Sequence, residues 1–198
     1  MHRFLLMAAV FGFATGPVSA QIAWDAPPLV SHVAPSGVSL FIIAPAGGDL
    51  GGMATFRHAA GPVGLGYRLG IADESGTGDL AVSAGVDVSG FLAREVEGSE
   101  IDVLWWSGGG VGIGSEALIS FPLGILLGWS GRGSDAVLSP YAGGHLVLDI
   151  SSADQNNVDL GGAFDLGLDI ALSSGWLVRF GASIGDRDAL AFGVRIGS

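Results

Sequence analysis

The chain has 198 residues, about one domain, with no cysteine and with eight arginines and no lysine supplying its strong bases. A net charge of −11 repels the phosphates of nucleic acid, and the lack of thiols excludes disulfides and thiolate metal sites. Hydrophobic residues make up 49% of the chain against 14% charged, with a mean hydropathy of +0.56.

Residues 1–20, MHRFLLMAAVFGFATGPVSA, read as a cleaved secretory signal. They have a short basic start, an apolar stretch, a Gly16-Pro17 break and a small-residue end at Ala20, which makes Gln21 the expected first mature residue. Residues 21–36 include Pro27, Pro28 and Pro35 and predict an irregular N-terminal segment. Beyond the signal, the best helical membrane candidate is Ala117–Trp129. It is thirteen residues long and contains Pro122, whereas a helical span needs roughly twenty apolar residues.

From Gly37 the pattern has period two, which predicts strands at 37–46, 51–60, 62–72, 79–93, 101–113, 116–129, 136–151, 157–172, 175–185 and 189–197. Gly, Ser, Asp and Asn punctuate the gaps between them. In 62–72, Val63, Leu65, Tyr67, Leu69 and Ile71 oppose Gly64, Gly66, Arg68 and Gly70. In 157–172, Val158, Leu160, Phe164, Leu166, Leu168, Ile170 and Leu172 oppose a face holding Asp159, Asp165 and Asp169. A soluble sandwich would solvate its second face with bulky charged residues, yet here that face is mostly Gly, Ala and Ser. A membrane barrel turns the greasy face outward and fits small residues into a narrow lumen. The expected fold is therefore all-β: a closed antiparallel transmembrane β-barrel over 37–198, of about ten strands, with eight as the alternative. A soluble lipid-binding barrel would place the greasy face inside instead.

Parity sends Arg57, Arg68, Asp87, Asp102, Asp149, Asp159, Asp165, Asp169, Arg179 and Arg195 into the lumen. Carboxylates confined with arginines are expected to pair, because an unpaired buried charge is costly. Counted about the turn at Ser173-Ser174, Arg179 falls opposite the region of Asp169. Leu166 is expected to face lipid and to reject arginine, while its neighbour Gly167, facing the lumen, is expected to accept serine. Trp105, Trp129 and Trp176 fall on the apolar face near strand ends and read as interface anchors.

The signal, the dyad-repeat strands and the phrase PYAGGHLVLDI (Pro140 to Ile150) together resemble the small outer-membrane β-barrel proteins of double-membraned bacteria. The resemblance covers Gly37 to Ser198 and is architectural. Such barrels often end in an aromatic residue, whereas this sequence ends FGVRIGS. The resemblance implies export to a bacterial outer membrane and contact with its lipid. Because the class includes anchors, pores and enzymes, it carries over no functional residue.

Three histidines follow the signal. His32, in the irregular segment, is expected to be solvated, and His58 to end a strand on its apolar face. His145 shares the inner face with Ser139, Tyr141 and Asp149, but Asp149 is four residues away, about 13 Å along a strand and beyond hydrogen-bond reach. A catalytic carboxylate or serine would have to come from another strand, and no enzymatic activity is expected. WWSGGGVGIG (Trp105 to Gly114) lacks the Lys-Ser/Thr and helix of a phosphate loop. No cofactor or metal is expected. The functional expectation is a structural or interaction barrel with a charge-networked, largely plugged lumen. The alternative is a narrow, porin-like pore for small solutes or ions, with oligomeric state left open. Short loops at both ends count against an adhesin.

Overall fold

The computed structural model describes residues 24, 30–33, 36–45, 50–59, 63–73, 80–94, 100–129, 131, 136–152 and 157–196. The proposed signal lies outside them. Ten strands form a closed antiparallel barrel: β1 (Gly37–Pro45), β2 (Gly51–Ala59), β3 (Val63–Asp73), β4 (Leu80–Ala93), β5 (Ile101–Ile113), β6 (Ala117–Trp129), β7 (Ala136–Ser151), β8 (Asn157–Leu172), β9 (Leu177–Gly185) and β10 (Ala189–Ile196). Each strand pairs with its neighbours in sequence, and β1 pairs with β10 from Val38↔Ile196 to Pro45↔Ala189. Closure leaves no sheet edge, the arrangement that an up-and-down barrel uses to satisfy its backbone. The ten-strand count holds over the eight-strand alternative.

Strand bounds follow the sequence pattern closely. The expected positions 46, 60, 62, 79 and 197 lie outside the described residues, while Glu116, Gly175 and Trp176 fall in turns rather than strands. Burial alternates at every residue along β3 and β6. Leu69 is 64% exposed while the adjacent Arg68 is 3% exposed, so the barrel is inside-out relative to a soluble core. Large apolar side chains such as Leu40, Phe56, Phe121, Leu146, Phe164 and Leu190 stand on the outer surface. Leu166 is among them, as the alternation predicts.

The lumen also holds large apolar residues. Phe41, Ile43, Met53, Ala72 and Ala191 cluster at the end where β1 runs into β2. Trp24, Val30, Leu104, Trp106, Leu126, Tyr141 and Val147 form a second buried cluster. Trp24 and Val30 belong to the N-terminal segment, whose described residues are irregular, and both side chains are packed inside the barrel.

Candidate functional site: the lumen charge network

Asp87, Asp149, Asp165 and Asp169 are buried in the lumen, each held by side chains from other elements. The β8–β9 turn sets the first site. Gly175 has a φ of +84°, a left-handed conformation that suits glycine, and its N–H donates to the Leu172 carbonyl at 3.0 Å. That turn places Asp169 directly opposite Arg179. Arg179 Nε donates to Asp169 Oδ1 and Nη2 to Oδ2, both at 2.5 Å, which is the planar bidentate match of guanidinium to carboxylate. Ser31 Oγ, from the N-terminal segment, also donates to Asp169 Oδ2 at 2.5 Å. The expected pair is therefore present, with one additional donor.

Asp87 on β4 is the second site. Arg57, two strands away on β2, reaches it over Gly66, because Arg57, Gly66 and Asp87 stand in one cross-strand row. A β-carbon on Gly66 would lie 2.6 Å from Arg57 Nη2 and 2.8 Å from Asp87 Oδ2. Arg57 Nη1 donates to Ser89 Oγ at 2.7 Å, its Nη2 donates to Asp87 Oδ1, and Arg68 Nη2 donates to Asp87 Oδ2 at 2.8 Å. Arg68 also lies over the Trp24 ring, 3.9 Å from its centroid. The indole adds a cation–π contact to a guanidinium that shares its carboxylate.

Asp149 and Asp165 complete the buried set. Asp149 accepts from Ser120 Oγ at 2.5 Å and from Arg187 Nη2. Arg187 sits in the β9–β10 turn and folds inward. Asp165 accepts from Ser183 Oγ at 2.6 Å, and its Oδ2 lies 2.7 Å from His145 Nδ1. The cross-strand carboxylate that His145 lacked on its own strand thus comes from β8. Ser183 donates to the carboxylate and not to the imidazole, and both His145 and Asp165 side chains are fully buried. The three do not form a nucleophile–base pair open to substrate.

Several expectations require correction. Asp159 faces inward by parity but is exposed, because β8 pairs with β9 only from Ala163 onward and the β7–β8 hairpin overhangs the wall. Asp102 is only half-buried, beside Gly128 at the opposite end. Arg195 reaches the lumen without a carboxylate partner among the described residues. His32 is 4% exposed, not solvated, and its ring fills the space over Gly128. His32 Nε2 lies 3.2 Å from the Trp129 carbonyl oxygen. Burial lowers the His32 pKa from its ordinary value, partly opposed by that carbonyl. Gly167 does face the lumen, but a β-carbon there would strike the Tyr141 ring and the Phe180 carbonyl, so the structure predicts a cost for serine that the alternation alone does not. Trp129 closes β6 and Trp176 lies in the β8–β9 turn, both exposed at one rim. Trp105 is half-buried on the outer face but lies within β5, paired with Ile125, inward of the rim. His58 is exposed on the outer face near the end of β2.

The sequence reading missed Arg187, the serines and the N-terminal insertion. Arg187 lies in the turn between β9 and β10, where strand parity gives no direction. The serines at 89, 120 and 183 share inward parity with the acids, a signal that was present and unused. The interior glycines have a role that composition alone does not reveal. Trp24 overlies Gly85, Gly108 and Gly110, Trp106 and His145 meet over Gly124, and Phe41 overlies Gly193. Each glycine is a socket for a large lumen side chain. No known family model matches the chain, and no curated protein is significantly similar to it.

Proposed function

We propose that this chain is an exported outer-membrane β-barrel that serves as a structural or interaction barrel, its lumen plugged by its own N-terminal segment and charge network. The observation that carries the plug is Trp24. It stacks on Trp106 with ring centroids 6.2 Å apart, contacts Arg68, and occupies the space above three glycines on two strands. The membrane assignment rests on the outward band of large aliphatic and aromatic side chains. Monomeric soluble proteins rarely expose contiguous apolar patches beyond a few hundred Å², whereas a lipid-facing wall requires them. Trp129 and Trp176, exposed at one rim, suit the membrane–water boundary. Large side chains seated over the interior glycines favour closure over the rival reading, a narrow pore.

Two measurements test this reading. Mature protein should fractionate with outer membranes and resist high-salt extraction; recovery in the soluble periplasm refutes the membrane assignment. In planar bilayers the refolded wild type should show little or no single-channel conductance, and Trp24→Gly should raise it. High wild-type conductance, unchanged by that substitution, establishes the pore instead.

A further inference from the structure

One mouth of the lumen, at the end where β1 begins and β10 finishes, contains a small cavity of about 20 Å³. Arg57, Arg179 and Arg195 line it together with the hydroxyl residues Ser39 and Thr55, and Phe41 contributes an apolar wall. Asp87 already serves both Arg57 and Arg68, and Asp169 is held in both oxygens by Arg179. Arg195, by contrast, has no carboxylate partner among the described residues. Arg195 Nε and Nη1 are buried and have no hydrogen-bond partner among the described residues. Buried donors left unmatched are costly, and donors to a charged acceptor form the stronger bonds.

We propose that this pocket binds one small monovalent anion, a halide or the carboxylate group of a formate-sized ligand, with Arg195 as its principal donor. The anion supplies the acceptor that the two buried Arg195 donors lack among the described residues. Arg57 on β2 and Arg179 on β9 add attraction from either side, and the hydroxyls of Ser39 and Thr55 are placed to complete its coordination. The volume sets the size limit. A water-sized group needs roughly 10–15 Å³ of such space, so one chloride or one carboxylate head fits and a phosphorylated sugar does not. The site differs from the plug in that Arg195 keeps two buried donors unmatched among the described residues.

The test uses the full mature barrel refolded in a zwitterionic detergent, with sodium chloride or sodium formate replacing sodium MOPS at constant ionic strength. The wild-type melting temperature should rise with either small anion, by about 3–6 °C at a tenfold excess over the dissociation constant. Arg195→Gln should melt independently of anion identity. A wild type indifferent to the anion, or a variant that responds as the wild type does, overturns the proposal. Chloride-35 NMR on the wild type alone provides an answer that does not depend on the variant folding. Excess line broadening that formate competes away supports the site, and broadening no greater than that of a protein-free micelle overturns it.

Discussion

Asp169 and Asp87 are both buried carboxylates in arginine-rich surroundings, yet they are satisfied in opposite ways. Asp169 meets Arg179 directly across one hairpin, in register and in plane. Asp87 draws Arg57 from two strands away across a glycine, and Arg68 from one strand away. The first pair is a product of one turn and is local. The second depends on the curvature of the wall and on a residue that is absent by design, the missing side chain of Gly66. A lumen charge can thus be neutralised by register alone, or by removing what stands between two distant partners.

The largest effect is expected at Asp87. Asp87→Asn removes the carboxylate that Arg57 and Arg68 share and should destabilise the barrel by about 3–5 kcal/mol, toward the upper end of what breaking a buried ion pair costs. Urea unfolding in lipid vesicles measures it. A loss smaller than that of Asp169→Asn would show that the shared site is the weaker of the two.

The local pair should respond as a closed unit. Arg179→Gln alone should cost about 3 kcal/mol, and adding Asp169→Asn should recover part of it. Simple additivity in that double-mutant cycle would mean that the bidentate contact contributes little beyond its separate charges.

The outer and inner walls can be compared at Leu166, whose replacement by arginine should cost about 2–4 kcal/mol if it faces the bilayer midplane. Glycine substitution then tests the socket idea. Gly66→Ala inserts a methyl between Arg57 and Asp87 and should cost about 1–3 kcal/mol, the usual range for overpacking. Gly52 on the same hairpin has nothing within 4 Å of a β-carbon position. Alanine there should fall within about 0.5 kcal/mol of wild type. Equal losses at both glycines would reduce the effect to generic backbone entropy.

The smallest effect is a pH dependence at His32. Its folded pKa lies below 6.5 because burial disfavours the imidazolium, so the folded state binds fewer protons than the unfolded one. Its contribution is intact above pH 6.5 and is lost as pH falls through the folded value. Asp169 and Asp102 favour the proton and Arg179 opposes it. His32→Gln should flatten the stability profile between pH 7 and 5, as read by thermal melts across that range.

The amino-acid sequence by itself determined the strands, their order along the chain and the face of nearly every residue. An antiparallel meander has only two variables per strand, its parity and its turn, and both are local. The Asp169–Arg179 pair was legible for the same reason, since it requires only a turn centre and a count of residues. Tertiary structure alone decided which distant groups share a lumen. Closure brings β10 to β1, sends Trp24 and His32 into a barrel formed by residues far along the chain, and turns Arg187 inward from its loop toward Asp149. It also leaves Asp159 outside despite its parity, because enclosure depends on how far the neighbouring strand extends and not on the alternation of the strand itself. Period-two alternation specifies direction, whereas burial and charge pairing in a closed barrel are set by the walls that surround each side chain.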